Sequence, residues 1–199
     1  MSTKFLTPAI LLARRLLYER GDWTPEAATY VREQSLDLDL IAARAGLFTV
    51  VLAQLTGHNT GVPRWDFEPD GAPAAVVEVL AEDGCTVADL VAWPLNAPER
   101  FATAVGEADM LGINAMRNPA TYWAGVPLRV HRTPLNWLKA GCDGCVILNR
   151  AWGGYWLSRC PGPIMAEDLA HGRELRRLLP NSFDMRRLLV PVDTERAAA

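Results

Sequence analysis

The chain has 199 residues, of which 50% are hydrophobic and 22% charged, and its net charge at pH 7 is −3. This composition is typical of a folded globular protein and excludes a disordered or low-complexity chain. No apolar run reaches the roughly 18–20 residues that a membrane span needs, and Arg14 and Arg15 interrupt the apolar N-terminus, so we expect a soluble cytoplasmic protein without a signal peptide.

The N-terminal part of the chain carries helix signals. Residues 8–20 have the apolar stripe of an amphipathic helix, with a proline at its start. A second helix is predicted over 25–34, because the preceding threonine can cap it and proline is tolerated in the first turn. A third helix is predicted over 38–55, with Gly46 as the position where it could break.

A boundary is predicted at residues 56–63, which are rich in turn-forming residues. We therefore expect a helical N-terminal segment over 1–60 and an α/β core over 61–199, packed together as one compact unit. Charge is uneven, since residues 61–126 have a net charge of −7 and residues 127–199 one of +4. Such a gradient is common on folded proteins and identifies no partner.

Strand signals follow the boundary. Residues 74–81 and 86–93 are strand-like runs, and the Glu82–Cys85 turn between them predicts a hairpin. A helix is predicted from about Pro98 to Leu111. After it, the sequence favours one helical turn at 119–123.

The strongest fold signal is a strand, a short helix and a second strand. Leu128–His131 alternates apolar and polar residues, and Cys145–Leu148 is an apolar run typical of a strand covered on both faces. Thr133 and Pro134 mark the start of a helix of about two turns between them. Two strands joined in this way should be parallel. Trp137 is predicted to be buried, because so short a helix depends on tertiary packing.

The C-terminal part is predicted to contain a short strand at 152–156 and a helix over 166–179. The acidic start and basic end of that helix match the helix dipole. The elements together predict an α/β or α+β fold. In this fold, N-terminal helices pack on a small mixed sheet with one hairpin and one parallel β-α-β crossover.

Cys142 and Cys145 form a CxxC pair, the pattern of redox dithiols and of half a zinc site. A redox pair gains its low thiol pKa at a helix N-terminus, whereas this pair follows a helix C-terminus. A zinc site needs two further ligands, and the crossover is expected to place His131 at the opposite edge of the sheet. We therefore expect structural cysteines and no metal, with well under one zinc per purified chain.

Two groups of residues are candidates for ligand binding. The first lies between the first crossover strand and its helix, where free backbone N–H groups could hold an anion, although Pro134 removes one donor. The second is an aromatic group that could stack on a base or another ring, or could instead pack a loop onto the core. The candidate residues are His131, Arg132, Thr133, Trp152 and Trp156.

Residues 40–57 resemble a helix-turn-helix in the spacing of small and apolar residues around Gly46. The second helix of that motif would expose only Thr49 and Gln54 to a DNA groove and would carry no basic residue. A buried helical hairpin explains the same pattern, so nucleic-acid binding is expected to be weak and salt-sensitive at most.

The sequence contains no nucleophile elbow, P-loop, HExxH or dinucleotide-binding glycine motif. The first functional interpretation is therefore a non-catalytic intracellular binding or accessory module, with no cofactor and with a protein as one candidate partner. The second is an enzyme whose site near His131 and Arg132 is assembled only in the fold. The third is a nucleic-acid binder that uses 38–57 or the arginine-rich end of the last helix.

Overall fold

The computed structural model describes residues 7–21, 23–56 and 63–191. The helices are α1 (Pro8–Arg20), α2 (Pro25–Glu33), α3 (Leu38–Ala45), α4 (Ile113–Arg117), α5 (Pro134–Lys139), α6 (Arg150–Ser158) and α7 (Leu169–Leu178). The strands are β1 (Phe48–Thr56), β2 (Arg64–Phe67), β3 (Ala72–Leu80), β4 (Val87–Pro94), β5 (Ala102–Thr103), β6 (Met110–Leu111), β7 (Leu128–His131), β8 (Cys145–Ile147), β9 (Ile164–Met165) and β10 (Leu188–Leu189). Within the described ranges, no helix has the length and apolar character needed to cross a lipid bilayer.

The first five strands close into a small barrel in the order β1-β2-β5-β4-β3. The predicted hairpin is confirmed, because β3 and β4 are antiparallel neighbours. One set of barrel side chains, including Trp65 and Leu90, packs together with Leu17 of α1. The alternate set, including Val77 and Trp93, belongs to a second cluster with residues of α2, α3, α5 and β8. The barrel therefore connects the N-terminal helices to the rest of the fold.

The third predicted helix is wrong beyond residue 45. Gly46 adopts a φ of +81° after α3, and the chain then enters β1, which pairs with both β2 and β3. The β-branched residues at 49–51 favour this strand. The helical spacing of the apolar residues in the same segment had indicated a helix instead. The helix-turn-helix interpretation is consequently wrong, since its second helix is a barrel strand. The division of the chain at residue 60 stays a prediction.

A second sheet has the strand order β10-β9-β7-β8-β6. The strands β10, β9, β7 and β8 are parallel, and β6 runs antiparallel to β8. The α/β class, the mixed sheet and the parallel crossover are thus confirmed. The side-chain oxygen of Thr133 accepts a hydrogen bond from the backbone N–H of Asn136, so the predicted cap at the start of α5 is confirmed as well.

Helices cover both faces of this second sheet. Val146 shares one cluster with α5 and the barrel, whereas its neighbour Cys145 shares another with α6 and α7. The chain moves from β7 to β8 in one direction and then returns past β7 to β9. Because crossovers of parallel strands are right-handed, such a reversal requires the connecting helices to lie on opposite faces.

The predicted helix at 98–111 is wrong. This segment contains β5 and β6 and a loop whose backbone N–H groups at Val105, Glu107 and Ala108 donate to the carboxylate of Asp89. In a helix the same groups would donate to carbonyl oxygens four residues earlier. A buried acidic side chain on a neighbouring strand therefore replaces the helical hydrogen bonds.

The predicted strand at 152–156 is also wrong, since these residues belong to α6. Asn149 caps this helix by accepting a hydrogen bond from the backbone N–H of Ala151. The glycines that reduced the helix signal are required by close packing, because a Cβ at Gly154 would lie 1.9 Å from the carbonyl oxygen of Leu178. The last predicted helix is confirmed as α7.

Candidate functional site

A topological switch point lies between β7 and β9. The chain leaves β7 toward β8 on one side and later places β9 on the other side of β7. In open α/β sheets, ligands bind outside the carboxyl ends of the strands at such a reversal. A ligand site is therefore expected at the end of β7 and just after β9.

The sheet face at this point is partly open. Arg129 and His131 of β7 lie on one face, together with Met165 and Glu167 at the end of β9, while Val130 faces the opposite cluster. On this face α5 packs over β7 and β8. Beside it lies an open cleft of about 300 Å³. We call it the β7–β9 cleft; it is lined by Arg129, His131, Met165, Glu167 and Pro191.

The imidazole of His131 in the wall of this cleft contacts two other segments of the chain through its ring nitrogens. Its Nε2 lies 2.9 Å from the carbonyl oxygen of Asp143, and its Nδ1 lies 3.3 Å from Oε1 of Glu167. The same Oε1 accepts a hydrogen bond from the side chain of Asn136. Both ring nitrogens therefore lie within hydrogen-bonding distance of oxygen atoms of the protein itself.

Arg132 is used within the fold and does not line the cleft. Its guanidinium donates to both carboxylate oxygens of Asp168 and lies 3.5 Å from the carboxylate of Glu174. The hydrogen bonds from Arg132 hold the pKa of Asp168 well below its usual range. The positive charge of Arg132, which the sequence suggested for anion binding, is therefore balanced by Asp168 and Glu174. Thr133 is occupied in capping α5.

Arg129 is the cation that sequence reasoning missed. It is exposed, and no ion pair to it occurs among the residues that the structure describes. Its position two residues before His131 on a strand puts both side chains on one face, which is the signal that could have identified it. Glu167 was missed because it approaches His131 only through the pairing of β7 with β9.

The two aromatic candidates belong to a different surface. Trp152 and Trp156 lie on α6, which packs on the face of the sheet opposite to Arg129 and His131. The indole N–H of Trp156 donates to the carboxylate of Asp109, 2.9 Å away. The five candidate residues therefore do not form one site.

The environment of the cysteine pair disfavours a reactive thiolate. Burial raises the pKa of Cys142 to about 11 and raises that of Cys145 as well. In the described parts of the chain, no three His, Cys, Asp or Glu residues are grouped so that they could hold a metal ion. The predicted separation of His131 from Cys145 is wrong, however. Val130 pairs with Cys145 across the two short strands, so His131, the next residue of β7, lies beside this pair.

Unfolding should become easier as the pH falls from about 7.5 to 5.5, in part because of His171, whose unperturbed pKa is about 6.5. The ring is 4% exposed, and its Nδ1 accepts a hydrogen bond from the backbone N–H of Glu167. Burial, followed by the charge of Arg132, lowers the pKa of His171. As the pH falls, His171 is therefore protonated in the unfolded chain before it is protonated in the folded one. The contribution of His171 to stability is fully present above its pKa in the unfolded chain and declines below that pKa.

Urea unfolding at a series of pH values measures this effect. The variant His171→Asn keeps an acceptor near the position of Nδ1 but does not titrate, so its stability should change less across this range. An unchanged pH dependence in that variant would show that other groups cause the loss.

The chain has no match among known protein families, curated proteins or solved structures. Its function must therefore be inferred from the geometry of the β7–β9 cleft and from the chemistry of the residues around it.

Proposed function

We propose that the protein is a non-catalytic binding module that holds a small organic anion in the β7–β9 cleft. The observation that carries this proposal is the position of the exposed Arg129 guanidinium beside an open cleft at the topological switch point. All four cysteines are free thiols, as is usual in a reducing compartment, which supports the expected cytoplasmic location.

A binding role is favoured over catalysis by the state of the polar groups. A general acid or base needs a proton-exchanging atom that faces the substrate. Both ring nitrogens of His131 are engaged within the protein, and the raised thiol pKa values of Cys142 and Cys145 disfavour a thiolate nucleophile. These contacts support a binding role over the enzyme interpretation centred on His131 and Arg132.

The lining of the cleft favours a ligand with a negative head and an apolar body. Arg129 can bind a carboxylate or phosphate through paired N–H donors. Met165 and Pro191 contribute apolar surface beside it. A volume of about 300 Å³ is at the lower end of small-molecule sites, so the cleft suits a compact ligand.

Benzoate, benzyl alcohol and benzylamine test the proposal, because they combine the same ring with an anionic, a neutral and a cationic head. Backbone amide NMR titrations of the full chain should show shifts at 129–131 and 164–167 with benzoate, with a dissociation constant of about 1 mM for so small a fragment. Arg129→Gln should weaken benzoate about tenfold, because it removes charge-assisted hydrogen bonds.

The matched control is Arg176→Gln, which removes an exposed arginine near the end of α7. Benzoate binding should be unchanged in that variant. Stronger binding of benzylamine, or benzoate shifts confined to other parts of the chain, would contradict the proposed site.

A further inference from the structure

The β7–β9 cleft is lined by side chains of both charges. Arg129 of β7 and Glu167 after β9 share one face, and the strand register pairs Arg129 with Met165, two residues before Glu167. The spacing of parallel strands then puts the α-carbons of Arg129 and Glu167 roughly 8 Å apart. Both residues lie within the described ranges, and no ion pair joins their side chains. The cleft therefore offers a cation and an anion that do not neutralise each other.

The carboxylate of Glu167 is held in place through one of its two oxygens. Its Oε1 accepts a hydrogen bond from the side chain of Asn136 at 2.8 Å and lies 3.3 Å from Nδ1 of His131. Its Oε2 receives no hydrogen bond from the residues that the structure describes, and the guanidinium of Arg132 lies 3.9 Å from it. The side chain is 21% exposed. Oε2 is thus an acceptor without a donor, on a residue that lines the cleft.

The negative charge of Glu167 is balanced only in part. Arg132 donates to both carboxylate oxygens of Asp168 and lies 3.5 Å from the carboxylate of Glu174. One guanidinium therefore faces three carboxylates, so that with a neutral His131 this group of side chains has a net charge of −2. A cationic group of a ligand beside Glu167 would reduce the repulsion among these carboxylates.

We infer that the ligand of this cleft is an amino carboxylate, with its carboxylate on Arg129 and its ammonium group on Glu167, and this assignment rests on the function proposed above. A ligand with an anionic head alone would leave Oε2 of Glu167 without a donor, whereas an ammonium group supplies up to three N–H donors. Met165 and Pro191 offer apolar surface to the body that joins the two ends.

The charge pattern disfavours other classes of ligand. A phosphate dianion would bring a second negative charge toward the carboxylates around Arg132, and a diamine would place a cation beside Arg129. A hydroxyl group can also donate to Oε2 of Glu167. However, a neutral donor forms a weaker hydrogen bond with a carboxylate than an ammonium group does. A zwitterion is therefore the ligand that matches both ends of the cleft.

Three para-substituted benzoates test the inference, namely para-(aminomethyl)benzoate, para-(hydroxymethyl)benzoate and para-methylbenzoate. They share the anionic head and differ only at the opposite end of the ring, so their relative affinities report the contact with Glu167. Backbone amide NMR titrations of the full chain should show that the aminomethyl compound binds about fivefold more tightly than the methyl compound. The hydroxymethyl compound should lie between them.

Glu167→Gln should bring the affinity ratio of the aminomethyl and methyl compounds to about one, because glutamine keeps the side-chain shape but not the charge. A change in the shape of the cleft would affect both ligands, so the ratio isolates the contact between the ammonium group and the carboxylate. The matched control is Glu99→Gln, since Glu99 is exposed and does not line the cleft; it should keep the wild-type ratio. The comparison of ligands in the wild type does not depend on how the variants fold.

The possible results separate the inference from the proposed function. If the methyl compound shifts the amide signals of 129–131 but the aminomethyl compound binds no more tightly, the amino carboxylate assignment is wrong and the anion site stands. If neither compound shifts these signals, both are wrong. An equal gain from the ammonium group in the wild type and in Glu167→Gln would also overturn the assignment, because another group would then hold the ammonium.

Discussion

Replacement of Trp137 by alanine should lower the free energy of unfolding by about 3–5 kcal/mol, a large share of the stability of a domain. The indole is 3% exposed and packs in the cluster that joins α5 to the barrel. Its N–H donates to the carbonyl oxygen of Gly144, 3.1 Å away. The helix α5 has six residues and cannot be stable without this packing. Urea unfolding followed by circular dichroism measures the loss.

Two further variants separate packing from the hydrogen bond. Trp137→Phe keeps most of the apolar volume but leaves the Gly144 carbonyl without its donor, so it should cost less than the alanine variant. Trp23→Ala truncates a half-exposed indole and should change stability by no more than about 0.5 kcal/mol. If Trp137→Ala melted like the wild type but lost benzoate binding, Trp137 would be a ligand contact and not a core residue.

The crossover containing Trp137 was predictable because its signals are local. Thr133 and Pro134 define the start of α5 within a few residues, and Gly141 and Gly144 at its end both adopt positive φ. The apolar run that follows is typical of a buried strand. Each of these features depends on near neighbours in sequence, so the sequence alone contains the required information.

The errors occurred where distant residues decide the structure. β1 is stabilised by pairing with β3, about 25 residues away, and its apolar residues also fit a helical period. The glycines of α6 are explained by Ile147 and Leu178 on other elements. Propensity alone could not identify these contacts, which override it in the folded chain.

The candidate site was predicted only in part for the same reason. His131 could be selected because it ends a strand before a helix. Its partner Glu167 lies 36 residues later and reaches it only when β9 pairs with β7. Arg132 looked available in the sequence, but the start of α7 brings carboxylates to it and leaves Arg129 as the exposed cation. Which of two nearby arginines is free depends on the tertiary fold.

Replacement of Asp89 by asparagine should lower the free energy of unfolding by about 2–6 kcal/mol. The carboxylate is fully buried and accepts hydrogen bonds from the backbone N–H groups of Leu90, Val105, Glu107 and Ala108. Asparagine keeps the shape but has one oxygen, so its amide group would face two buried N–H donors. Each buried donor left without an acceptor costs about 1–3 kcal/mol. Urea unfolding of the variant measures the loss.

The effect should extend from the barrel to α6. The loop that Asp89 fixes leads into Asp109, which holds the indole of Trp156, so the amide NMR signals of 105–109 and the Trp156 side-chain N–H should all shift in Asp89→Asn. Asp66→Asn is the control, because Asp66 is an exposed residue of β2 and its replacement should change stability by no more than about 0.5 kcal/mol. If Asp89→Asn were as stable as Asp66→Asn, the backbone N–H groups of the loop would have other hydrogen-bond acceptors. The non-helical structure of residues 98–111 would then not depend on the carboxylate of Asp89.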